Sequence, residues 1–144
     1  MVNEDACRFC HAKNFTSRFI GGYEFCYAII SDPSWRAGQC LVIPRRHVLT
    51  LDELTWDEGA EIMQELGRLS RLLDAGYGTG IMQKFQPDQP ENGIKVNHLH
   101  FHVFPRLPGE DTVRLFPVPE PNSFAGFRPL LEEERLELTA RLQP

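Results

Sequence analysis

Apolar residues recur at Ile62, Leu66, Leu69 and Leu73, spaced by four, three and four. That rhythm draws one stripe along a helix and predicts it over residues 56–74. Thr55 followed by Glu58 gives the start a capping box, and Gly76 and Gly78 supply the stop. Elsewhere the apolar runs are short and rich in aromatic or β-branched residues. Residues 19–23 and 25–30, broken near Gly21-Gly22, predict two strands or a hairpin. Residues 39–43 predict a strand stopped by Pro44, residues 80–85 another, and residues 96–104 a third ended by Pro105. Residues 31–34 and 86–93 read as loops, the second carrying Pro87 and Pro90. Residues 1–17 read as a polar, cysteine-containing lead-in. Residues 117–121 are proline-rich, and a short helix is expected near Pro129, with Glu132, Glu133 and Glu134 in its first turn. There is no internal repeat and no low-complexity tract. Strands and one main helix in irregular order imply an α+β fold: a mostly antiparallel sheet, one main helix and a C-terminal extension.

The 144 residues suffice for one hydrophobic core, so residues 1–144 are expected to form a single domain. No apolar run approaches the roughly 18–20 residues that cross a bilayer, and residues 1–9 are too polar for a secretory signal. The expected compartment is the cytoplasm, with no membrane partner. A net charge of −5 argues against a nucleic-acid partner. A small anion remains possible as substrate, because Arg45, Arg46 and Arg106 could give a local positive potential, although each could equally be a solvated charge beside a strand.

Candidate chemistry concentrates in His98-Leu99-His100-Phe101-His102. On a strand, residues two apart share a face at a pitch of about 6.6 Å. The three histidines then face one way, and Leu99, Phe101 and Val103 face a core. Imidazole can serve as nucleophile, acid, base or metal ligand near neutral pH. Packed or solvated histidines are the plain alternative, as is a catalytic metal held by all three. Cys7-Arg8-Phe9-Cys10 is a second candidate. Two cysteines at this spacing can hold one tetrahedral zinc if two more ligands arrive from elsewhere. Reduced surface thiols or a redox pair are the other readings, the latter without a βαβ context. Cys26 and Cys40 lie in apolar runs and read as inert core.

Residues 98–104, His-Leu-His-Phe-His-Val-Phe, resemble the motif of the histidine-triad (HIT) family, and Pro105-Arg106 is also common there. Leu41-Val42-Ile43-Pro44-Arg45-Arg46-His47 resembles that family's strand ending in proline, a basic pair and histidine. The resemblance covers about residues 5–107 and leaves 108–144 as an extension. It implies a HIT-like fold and a nucleoside phosphate derivative as substrate. His100 would be the nucleophile at the α-phosphorus, forming a nucleotidyl-histidine, with His102 on the phosphate oxygens. Hydrolysis or transfer follows, according to whether water or another acceptor attacks. The alternatives are a non-catalytic, zinc-stabilised nucleotide-binding protein and a metal-dependent enzyme.

Zinc-containing members of the superfamily imply a closed, structural Cys2His2 site made here by Cys7, Cys10, His47 and His98, with His11 a rival ligand. His98 would then be a ligand rather than a proton donor. Gln86 resembles the Asn or Gln placed near the phosphate or sugar. Asn92, with Gly93, could approach a phosphate, and Lys95 stands where relatives carry a polar pair. Asp32, shifted by one from the family's ribose-binding acid, would grip the sugar or cap its turn. Family members are often dimers, so a homodimer is expected.

Overall fold

The computed structural model describes residues 7–32, 34, 36–84, 98–109 and 129–144. Five strands, β1 (Phe19–Gly22), β2 (Cys26–Ile30), β3 (Cys40–Pro44), β4 (Thr79–Lys84) and β5 (His100–Pro105), form one sheet in the order β1-β2-β3-β5-β4. Every neighbouring pair is antiparallel. Helix α1 (Trp56–Leu73) lies between β3 and β4 in the chain, and helix α2 (Glu132–Leu142) follows β5. The mostly antiparallel α+β architecture agrees with the sequence expectation. Among the described residues, no helix is long and apolar enough to cross a membrane.

The capping box of α1 forms as its residues require. Thr55 Oγ1 accepts the Glu58 N–H at 3.3 Å, and Glu58 Oε2 accepts the Thr55 N–H at 2.8 Å. Ile62, Leu66, Leu69 and Leu73 turn to the sheet and pack with Ala28, Val42 and Val103; Leu138 and Leu142 of α2 join the same cluster. Each such side chain, once buried, stabilises the fold by about 1.5–3 kcal/mol before ordering costs. The helix ends at Leu73, and Asp74 rather than glycine alone organises the exit. Its Oδ1 accepts the N–H groups of Gly76 and Gly78, both at 2.8 Å and both at positive φ. Gly80 is needed for a different reason. A Cβ there would stand 2.2 Å from Cζ of Phe104 on the adjacent strand.

The lead-in is more than polar approach. It forms two 3-10 segments, Arg8–Cys10 and Ala12–Arg18, whose Phe9 and Phe15 are buried. With Tyr27, Ile29, Leu41 and Ile43 they build a second core on the sheet face away from α1. β2 and β3 are therefore buried on both sides and read as continuous apolar runs rather than alternating ones. Element boundaries differ from expectation by a residue or more, and two of the differences bear on the site. Pro44 belongs to β3 and pairs with Cys26, and β5 begins at His100, with His98 in a bend before it. The expected strand residues 96–97 lie outside the described residues, as does 117–121.

Arginine forks tie the layers together. Arg68 meets Glu65 through Nε and Nη2 at 2.8 and 2.7 Å. It also donates to the carbonyls of Leu142 at 2.6 Å and Ile20 at 3.2 Å, which pins α2 and β1 to α1. Arg135 donates to the Ser17 carbonyl at 2.6 Å.

Candidate functional site

Antiparallel pairing sets Leu41 of β3 opposite His102 and Val42 opposite Phe101. The alternation of β5 thus sends Phe101 and Val103 into the α1 core while His100 and His102 take the aromatic face. The two imidazoles lie 5.2 Å apart, centre to centre. His100 is 6% exposed, and its Nδ1 lies 2.7 Å from the carbonyl oxygen of His98. A carbonyl only accepts, so Nδ1 carries the ring proton and the in-plane lone pair sits on Nε2. His102 Nδ1 lies 2.8 Å from Gln39 Nε2, so the amide donates and the His102 ring proton belongs on Nε2. Gln39 is 1% exposed, at the entrance to β3. Sequence reasoning missed it, although a buried glutamine just before a buried strand is the sort of residue that serves a polar partner.

His98 has a different set of partners. It is fully buried, and its Nε2 donates to the Pro44 carbonyl at 2.9 Å. Its Nδ1 faces Cys7 Sγ at 3.4 Å and Cys10 Sγ at 3.6 Å, while His47 Nδ1 lies 3.2 Å from Cys10 Sγ. Burial pushes the His98 imidazole down to about 4, with His47 and His100 adding to the effect, so it is neutral at pH 7 and can offer a lone pair. Ligand atoms of Cys7, Cys10, His47 and His98 all lie within 4.8 Å of one another and could hold a metal ion. This is the only group of three or more such residues among the described ones. His11 is not in it, and His98, His100 and His102 do not converge on a common ion. The three-histidine metal reading therefore finds no support in the geometry.

The turn bearing His47 is braced from below. Arg46 forks onto Glu58 through Nε and Nη2, both at 2.8 Å, and Nη2 also reaches the Glu53 carbonyl at 2.6 Å. The Arg46 fork, with lesser help from Thr55, holds the Glu58 carboxyl down at about 2. Arg45 Nε donates to the Tyr23 carbonyl at 2.7 Å, and its guanidinium stands over the Tyr27 ring. Arg45 and Arg46 thus each make structural contacts. Asp32 is likewise engaged: its Oδ1 accepts the Leu130 N–H at 3.2 Å, which fastens the C-terminal extension to the end of β2. The remaining phosphate candidates, Gln86, Asn92 and Lys95, lie outside the described residues.

Residues 12–109 match the family model for the HIT domain. The chain belongs to the HIT domain family. Its matched span holds His47 and the three histidines of residues 98–102; Cys7 and Cys10 precede it. One relative is the bis(5'-adenosyl)-triphosphatase of Saccharomyces cerevisiae, 31% identical over 84 residues that make up 58% of this chain and 41% of that protein. Another is the galactose-1-phosphate uridylyltransferase of Hypocrea jecorina, 31% identical over 103 residues, 67% of this chain and 25% of that protein. The match thus spans less than half the length of either curated relative. Among solved structures, a Zn-bound histidine triad family protein from Mycobacterium smegmatis superposes with a TM-score of 0.64 at 24% identity, covering 97% of this chain and 95% of that one. At that identity the likeness speaks for the fold.

Proposed function

We propose that this chain is a nucleotide hydrolase or nucleotidyl transferase acting at the α-phosphate of nucleoside phosphoramidates or dinucleoside polyphosphates. The observation that carries the reading is the 2.7 Å contact of His100 Nδ1 with the His98 carbonyl oxygen. The His100 Nδ1–H is spent on that carbonyl, so the Nε2 lone pair is the one available for attack. In the first step Nε2 bonds to the α-phosphorus as the bond to the leaving group breaks, and the leaving group departs with the electron pair and takes a proton. In the second, water attacks the phosphorus and gives up a proton to solvent, the P–N bond breaks, and the electron pair returns to Nε2. Another acceptor in place of water gives transfer. His102, turned by Gln39, presents Nε2–H to a non-bridging phosphate oxygen, where charge builds during attack. The names of the triphosphatase and uridylyltransferase relatives support a nucleotide substrate.

The Cys2His2 cluster fits zinc. With Zn–S near 2.3 Å and Zn–N near 2.0–2.1 Å, a tetrahedral site has S···N edges of about 3.5 Å. The observed edges are 3.2, 3.4 and 3.6 Å. Two cysteine sulfurs and two imidazole nitrogens would form a closed donor set, so zinc there would supply structure rather than an open coordination position. The unbridged cysteines suit a cytoplasmic setting.

The exposed face of α1 supports a homodimer. Trp56 is 95% and Met63 66% exposed beside Gly59, lining a groove of ≈ 490 Å³. Asp57 and Arg71, fourteen residues apart, share a stripe on the helix and are both exposed. An antiparallel second copy would set Asp57 of each chain against Arg71 of the other.

The test is incubation of wild type and His100→Ala with an adenosine phosphoramidate and a dinucleoside polyphosphate. AMP release and acid-quenched nucleotidyl-protein are followed by mass spectrometry. Turnover and a trapped adduct in wild type, both lost in His100→Ala with metal content unchanged, are expected. Turnover that survives the substitution refutes the nucleophile assignment. Nucleotide binding without turnover would instead favour a non-catalytic binding protein.

A further inference from the structure

Phe9 stands between the metal cluster and the nucleophile. It is 6% exposed and lies between Cys7 and Cys10 in the chain. Its ring meets the His100 imidazole edge-on, with centroids 5.1 Å apart and planes at 79°, and meets His98 at 6.0 Å and 78°. Phe15 closes its other side at 5.6 Å. Its backbone is pinned too, because the buried Tyr27 hydroxyl donates to the Phe9 carbonyl at 2.6 Å.

The Nδ1–H bond to the His98 carbonyl sets the tautomer of the His100 ring, and the Phe9 ring edge lies against the same imidazole. Packing against the Phe9 ring edge resists rotation and keeps Nε2 aimed in one direction. Phe9 is in turn placed by the flanking cysteines, whose sulfurs converge with His47 and His98.

We propose that Phe9 is a positioning residue for His100, and that it is the link by which metal occupancy at Cys7 and Cys10 reaches the reacting nitrogen. This rests on the reading of His100 as nucleophile. It goes beyond that reading by giving the cysteine segment a role in the rate rather than in stability alone.

The test is Phe9→Leu, which keeps apolar volume but removes the ring edge. Two readouts are taken on zinc-loaded protein. The first is kinetic: kcat and the rate of nucleotidyl-protein formation should fall about tenfold with KM changed less than twofold, as a misaimed nucleophile predicts. The second is independent of activity. In long-range ¹H–¹⁵N spectra of ¹⁵N-labelled protein, His100 (assigned by its absence in His100→Ala) should show one sharp Nδ1–H tautomer in wild type. It should broaden or become mixed in Phe9→Leu while zinc remains at one per chain.

Chelated wild type should show the same His100 change, and chelation of Phe9→Leu should add little to it. A higher KM with unchanged kcat would make Phe9 a nucleoside contact and overturn the proposal. So would an unaltered His100 resonance in the variant. If Phe9→Leu does not fold, chelated wild type decides alone: an unaltered His100 resonance there overturns the link. Were wild type to turn over no nucleotide, the nucleophile reading would fail, while the resonance would still show whether Phe9 orients the ring.

Discussion

The two faces of the sheet are filled by different means. On one, α1 and α2 press many aliphatic side chains against Ala28, Val42 and Val103, and long regular helices carry the packing. On the other, two short 3-10 segments bring Phe9 and Phe15 against Tyr27, Ile29 and Leu41, beside the cluster of two cysteines and two histidines. A short 3-10 segment has little stability of its own. Its order must come from those two aromatic residues and, when a metal ion occupies the cluster, from that ion. The candidate chemistry, His100 and His102, lies wholly on this second face. The helix face is built to hold the fold and the lead-in face to hold the site, so the two should fail separately.

Metal removal is the strongest way to separate them. With free zinc at a thousand times its Kd, binding to the folded state alone contributes about 4 kcal/mol, which chelation removes. Thermal unfolding in zinc-buffered and chelated solutions measures the difference. Hydrogen exchange locates it: amides of residues 8–18 should lose protection while those of Trp56–Leu73 keep theirs. Uniform loss across both would show that the faces are one cooperative unit. The reverse cut is Leu66→Ala, at a position 2% exposed in the helix-side core. It should cost about 3 kcal/mol by denaturant unfolding, and the same with or without metal, because distant and unconnected sites add. A cost that depends on metal would join the two faces.

How far each face was legible follows from the same difference. The α1 stripe at Ile62, Leu66, Leu69 and Leu73 and the cap at Thr55 and Glu58 repeat at helical intervals, so local pattern reveals them. The lead-in has no such period. Phe9 and Phe15 are six residues apart among polar neighbours, and their burial depends on a sheet face built elsewhere in the chain. Gln39 escaped notice because its partner, His102, is 63 residues away. Asp32 read as a sugar ligand or a turn cap; its carboxylate accepts the Leu130 N–H, 98 residues on, and no local signal encodes that contact. The Cys2His2 group was foreseen only through family resemblance, since spacing can propose two cysteines as a pair but cannot choose their distant partners.

A smaller effect tests the brace between the faces. The Glu58 carboxyl is lowered from 4.5 to about 2, chiefly by the Arg46 fork. A depressed carboxyl contributes stability in full above its unfolded value and loses it as pH falls through its folded one. Part of the stability should therefore disappear between about pH 4.5 and pH 2. Because Arg46 is half exposed, the pair is discounted to about 1–2 kcal/mol. Glu58→Gln should flatten that acid limb in urea titrations across this range. An unchanged limb would assign the acid loss to other groups.

The smallest effect bears on what covers α1. A Cβ at Gly67 would meet nothing within 4 Å, and the residue is exposed inside a regular helix. In an isolated chain, Gly67→Ala should therefore stabilise by about 0.5–1 kcal/mol, since alanine loses less backbone freedom on folding. A close antiparallel helix reverses that expectation, because the added methyl would stand where the second backbone approaches. Light scattering and unfolding over a range of protein concentrations separate the cases. A gain in stability at every concentration, with no change in mass, would leave this face of the helix uncovered. A loss that grows with concentration, together with a fall in dimer mass, would place a second copy there. It would also make the outer surface of the helix face, like the lead-in on the other side, dependent on a partner for its order.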